Sequence, residues 1–150
     1  MDERDGDLHA VIFGVLEAGS RETLARRLLT IGQGLNALFD KYKPASVALE
    51  KTFYAKNVDS VTKLGQARGV CLYEAARAQV PVFEYAPTEI KSSLAGSGRA
   101  SKDQVQFLVR TLLKLPAMEK FDMSDALALA IHHSRISTTK NKIREMELNP

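Results

Sequence analysis

An α/β fold with a partly parallel sheet is what this sequence predicts, on three observations. Short apolar, β-branched runs alternate with longer segments whose apolar residues recur every three and four positions. The 150 residues are enough for about one domain. Hydrophobic residues make up 45% and charged residues 26%, so the chain can bury a core and is not a disordered polymer.

The first apolar run, LHAVIFGVLE at residues 8–17, reads as a strand, more antiparallel in character than the later ones. Ser20 then serves as a helix N-cap, with Thr23 where a capping box would have Glu. Leu24, Leu28, Ile31, Leu35, Leu38 and Phe39 follow at helical spacing, and Pro44 disfavours helix at Lys43. ASVALE, residues 45–50, reads as a buried strand ending in a carboxylate, and TFYAKN as a loop. A second helix spans about 59–79. Its Gly65 and Gly69 share a face that another backbone can approach closely. PVFEYA, residues 81–86, reads as a third buried strand, and a short helix covers 88–95. GSGRA connects it to a helix at 102–114 capped by Ser101, with Val105, Leu108, Val109 and Leu112 on one side and Pro116 beyond its end. A last helix is expected at about 123–135, before a polar tail. Three strands are thin cover for so many helices.

Composition excludes several classes of protein. A single cysteine, Cys71, permits neither an internal disulfide framework nor a cysteine-based zinc site. No apolar run reaches the roughly 18 residues of a membrane span. The start, MDERDGDLHA, has no apolar core of a secretory signal, so a cytoplasmic location is expected. A net charge of +3 permits a polyanionic partner without requiring one.

Few residues invite chemistry. Glu50 ends an apolar strand, where α/β sheets face their ligands; its carboxylate is either a site residue or paired with Lys51 or Lys56. Asp122 and Asp125 lie three apart at a helix start. They are either a cap and a first-turn acid or two hard-oxygen ligands for Mg²⁺. Phe53 and Tyr54 stand beside Lys51 and Lys56, while Lys91, Arg99 and Lys102 flank GSGRA. Aromatics next to cations suit nucleic acid, and equally a core with a solvated basic rim. His132 and His133 face different ways on a helix and cannot easily share a metal; a general-base or plain surface role is open to either. Cys71 reads as a small core residue, and GSG is too short for a phosphate loop.

Three strings go further: LEKTFYAKNVDSVTKLGQARGV, PVFEYAPTEIKSSLAGSGRASKDQVQFLVRTLLKLP and DMSDALALAIHHS. In this order, within residues 8–136, they resemble the RuvC family of bacterial Holliday-junction resolvases. The resemblance implies an α/β RNase H-like (retroviral-integrase) fold, with a mixed sheet flanked by helices. It implies a nuclease domain over residues 1–136 and a polar tail at 137–150. It also implies a homodimer that nicks four-way DNA junctions by metal-dependent hydrolysis, with two Mg²⁺ or Mn²⁺ ions. On this alignment Glu50, Asp122 and Asp125 are catalytic metal ligands. Phe53 wedges near the junction centre, Lys91 and Lys102 contact phosphates, and Gly65, Arg68 and Leu72 lie on the dimer helix. Branch-migration proteins and a nucleoid setting are implied as well.

One departure is large. The family opens with a strand reading roughly G-I-D-P-G-S-R, whose Asp is the first metal ligand, and the present sequence contains no such strand. Gly19–Arg21 reads GSR but leads straight into a helix, and Asp2, Asp5 and Asp7 sit in a polar stretch. The expectation is therefore an N-terminally truncated family member with weakened metal binding and slowed or absent cleavage. Its central sheet edges must be satisfied elsewhere. The alternatives to a cutting enzyme are a junction-binding module and a dimer or aggregate formed through an open sheet edge.

Overall fold

The computed structural model describes residues 1–4, 6–51, 58–118 and 120–148, those after 139 by backbone alone. The order of elements is β1 (Asp2–Arg4), β2 (Asp7–His9), α1 (Leu24–Tyr42), β3 (Val47–Glu50), α2 (Val58–Arg77), β4 (Val82–Tyr85), α3 (Pro87–Ala95), α4 (Lys102–Leu113) and α5 (Phe121–Leu148). The chain divides into two compact units, Val15–Glu84 and Met1–Gly14 together with Tyr85–Pro150.

In the first of these units, α1 and α2 pack on each other and β3 pairs with β4. The Val47 N–H donates to the Pro81 carbonyl at 2.9 Å, joining the beginnings of the two strands, so they run in the same direction. This is the parallel βαβ connection the alternating pattern predicts. Both strands are only half-buried, not the buried strands expected. The N-cap of α1 is Thr23, not Ser20: its Oγ1 accepts from the Arg26 N–H at 3.4 Å, while residues 19–22 form a turn. Lys43 closes the helix in the left-handed region, φ 46°, before Pro44. The close approach between helices falls at Gly32, where a Cβ would meet Val70 at 3.3 Å. At Gly65 and Gly69 it would meet nothing within 4 Å.

The second unit holds most of the core: Ile90, Val105, Val109, Leu113, Leu127, Ala128 and Ile131, contributed by α3, α4 and α5. Leu113, not Leu112, completes the buried face of α4, because it follows Val109 by four residues. Ser101 caps α4 in a reciprocal box: its hydroxyl accepts from the Gln104 N–H and the Gln104 amide oxygen accepts from the Ser101 N–H. Gly96 ends α3 with φ 70°, a conformation that favours glycine.

Three expectations change. The predicted strand at 8–17 shrinks to β2, paired antiparallel with β1 (Asp2↔His9, Glu3↔Leu8, Arg4↔Asp7). Val11, Ile12, Phe13, Val15 and Leu16 are all more than a third exposed and irregular, since among the described residues no neighbouring strand completes a ladder for them. Among the described residues, two two-stranded sheets therefore replace the single sheet of three strands. The last helix continues through the polar segment to Leu148. Among the described residues no helix is long and apolar enough to cross a membrane.

Candidate functional site

The unit of α3, α4 and α5 carries the aspartate pair. Helix α5 starts at Phe121, so Asp122 is its second residue and not its N-cap. An acid in the first turn is still favoured by the helix dipole. Between the two aspartates, Ser124 is fully buried and its hydroxyl donates to the Phe121 carbonyl at 2.7 Å. That anchor fixes the first turn and leaves Asp122 exposed and Asp125 half-buried. Lys102, the first residue of α4, places Nζ 3.7 Å from Asp125 Oδ2 and 5.9 Å from the centre of the Phe121 ring. The structure thus brings together three of the sequence-predicted residues: two carboxylates on one helical turn and a cation beside them. Lys91 lies half-buried on α3.

In the other unit, Glu50 ends β3 and is exposed, as the strand pattern predicts. Arg68 reaches back from α2, its Nη1 donating to the Glu50 carbonyl at 2.6 Å while its guanidinium pairs with Glu84. This arginine was expected on a dimer face; within the chain its side chain engages its own unit. Leu72 and Gly65 are exposed on the same helix. Cys71 is half-buried, and burial pushes its thiol above the ordinary range, so a reactive thiolate is disfavoured. Phe53, Tyr54 and Lys56 lie outside the described residues. Among the described residues no group of three or more His, Cys, Asp or Glu side chains could hold a metal ion.

Sequence reasoning missed a polar cluster around Tyr85. The Tyr85 hydroxyl lies 2.7 Å from His133 Nδ1, and the Tyr85 ring meets the His132 ring edge-on with centroids 4.7 Å apart. Both histidines therefore flank one tyrosine, and neither is a plain surface residue. His132 Nδ1 is 2.7 Å from the Ser93 hydroxyl, and Arg135 Nη1 donates to the Ser93 carbonyl at 2.9 Å. His132 is buried, which lowers its proton affinity below the ordinary histidine range. The doublet HH, two to three turns past an acidic helix start, was the available signal.

The family described as crossover junction endodeoxyribonuclease RuvC matches residues 1–133. A crossover junction endodeoxyribonuclease RuvC from Klebsiella pneumoniae subsp. pneumoniae is 46% identical over 128 residues, covering 85% of this chain and 74% of its own. The structure of Thermus thermophilus RuvC superposes with a TM-score of 0.82 at 28% identity, covering 93% of this chain and 85% of the other. T. thermophilus RuvC in complex with a Holliday junction substrate gives 0.80 at 27% identity, covering 89% and 81%. The small sheets flanked by helices are thus those of an RNase H-like fold. From residue 1 to the middle of α5, the chain belongs to the RuvC family of crossover junction endodeoxyribonucleases.

Proposed function

We propose that the chain binds four-way DNA junctions and hydrolyses phosphodiester bonds there, with Glu50, Asp122 and Asp125 as the reacting-site carboxylates. The observation that carries this reading is the aspartate pair three residues apart at the start of α5, Asp122 in its first turn and Asp125 just beyond it with the Lys102 ammonium 3.7 Å from its carboxylate. A related structure, that of T. thermophilus RuvC, holds a Holliday junction, which supports the same substrate class here.

The donors fit a hard divalent cation as a partial set: two aspartate oxygens on one turn suit Mg²⁺ or Mn²⁺, which keep several waters. Such an ion, when bound, supplies positive charge at the scissile phosphate. The chain's own residues do the remaining work. Ser124 holds the first turn so that Asp122 and Asp125 keep their spacing. Lys102 offsets the charge of Asp125 and offers a phosphate its ammonium. Arg68 pins the end of β3 and so fixes the backbone that presents Glu50. Lys91 contacts the DNA backbone in this reading, and Phe53 the junction centre. A second copy pairs through α2, supported by the exposed Leu72 and by the open space over Gly65 and Gly69. Branch-migration proteins and the bacterial nucleoid complete the proposed setting.

Binding without cutting is the second reading, favoured by the lack, among the described residues, of a three-member ligand group. A labelled synthetic four-way junction separates the two, incubated with Mg²⁺ and run on native and denaturing gels. Nicks near the crossover support the nuclease reading. A retarded but uncut junction supports the second, and an unbound junction contradicts both.

A further inference from the structure

Beside the apolar packing of Ile90, polar contacts join helix α3 to α5 at Ser93. Ser93 receives two contacts from α5: its hydroxyl lies 2.7 Å from His132 Nδ1, and its carbonyl accepts from Arg135 Nη1 at 2.9 Å. The same hydroxyl is 3.2 Å from the Ile90 carbonyl of its own helix, so it couples the α3 backbone to the His132 ring. Tyr85, two residues before α3, is fixed from the same side by His133 and packs edge-on against His132. His132 is 6% exposed, and its Nε2 has no hydrogen-bond partner among the described residues. A buried ring with one polar atom left unmatched costs stability, which a plain core residue at this position would not.

What the arrangement joins explains that cost. Lys91 lies two residues before Ser93 on a nine-residue helix. Asp125 lies seven residues before His132, about 10 Å along the same helix axis. Short helices have little stiffness of position on their own and take it from their packing. The Ser93 contacts are polar and directional, unlike the apolar contact of Ile90, so they fix how far α3 rotates and slides along α5.

We propose that Ser93, His132 and Arg135 are positioning residues, a latch that sets α3, and with it Lys91, against the aspartate helix so that Lys91 meets a DNA phosphate. The inference rests on the reading of Lys91 as a phosphate contact. None of the three latch residues touches DNA in this account; they act through Lys91.

The test is a double-mutant cycle on binding of a labelled four-way junction by the full chain, with Ca²⁺ in place of Mg²⁺ so that affinity is read independently of cutting. Lys91→Ala and Ser93→Ala are each expected to weaken binding about fivefold, the factor that about 1 kcal/mol gives. The double variant is expected to bind no more weakly than Lys91→Ala alone, and Ser93→Thr, which keeps the hydroxyl, to bind within about twofold of the parent. Circular dichroism at the assay temperature checks that each variant is folded. If Ser93→Ala weakens binding by the same factor with or without Lys91, or not at all, the latch is refuted while the Lys91 reading stands. If Lys91→Ala binds as tightly as the parent, the reading of Lys91 falls and the latch with it.

Discussion

Asp122 and Asp125 separate a ligand role from a capping role by experiment. Neither is the N-cap of α5, so Asp122→Asn removes only a modest dipole interaction, and Asp125→Asn a largely exposed ion pair with Lys102. Asp122→Asn and Asp125→Asn should each lower Mg²⁺-dependent junction cleavage by about a hundredfold, with unfolding midpoints nearly unchanged. Junction affinity should hold or rise, since a negative charge near phosphate is lost. Retained cleavage in either variant would remove that aspartate from the site. His132 gives a pH test of a different kind. Folded, the buried ring takes up a proton less readily than it does unfolded, where its value is near 6.5. Below that value the unfolded state binds more protons, so stability falls as the pH drops from about 7 towards 5. The groups around the ring are Tyr85 from β4, Glu89 and Ser93 from α3, and Arg135 from α5, with His133 on the far side of Tyr85. Thermal unfolding at pH 7.5 and 5.5 should show a larger loss for the parent than for His132→Gln; equal losses would contradict the assignment. What was legible in the sequence is that both aspartates lie at the start of one helix, because a spacing of three puts them on one face. The histidine cluster was not, because its partners Tyr85 and Ser93 lie some forty residues upstream and only the fold brings them near.

Element by element, the helices were readable and the sheet was not. The apolar spacing of α1, α2 and α4 places them within a few residues, and Ser101 marks the start of α4 correctly. Strand character depends on a neighbour. The run at residues 8–17 has the composition of a strand, yet most of it has no ladder to join and stays irregular. Gly65 and Gly69 suggested close helix contact, but the approach within the chain is made at Gly32, since spacing alone does not reveal which face a neighbour takes. Arg68 was aligned with a dimer helix, and the structure gives it a second task, holding the β3 end and Glu84 together. Arg68→Ala should lower the unfolding free energy by about 2 kcal/mol in a urea titration, through the lost charged hydrogen bonds to the Glu50 carbonyl and the Glu84 carboxylate. A change below about 0.5 kcal/mol would show that the contact is dispensable.

The whole molecule is best understood as one whose function was carried by family resemblance and whose physics supplies the supporting arrangement. Charge and composition alone permit a DNA partner without naming one, at +3 overall. The match over residues 1–133 supplies the family, and the structure supplies the aspartate turn, Lys102 and the Arg68 brace. The large exposed apolar side chains of α1 and α2, Leu24, Leu29, Leu64, Leu72 and Tyr73, are what a second copy would cover. On the proposed pairing through α2, Leu72→Glu should shift the chain from dimer to monomer in light scattering after size exclusion; the same mass for parent and variant would contradict that pairing. The most direct test of the central claim is a competition binding measurement. The chain is held in Ca²⁺ with a labelled four-way junction and challenged with linear duplex of the same arm sequence. The account predicts that the junction stays bound at a large excess of duplex, with affinity falling steeply as salt is raised. Displacement by duplex at equal concentration would contradict it.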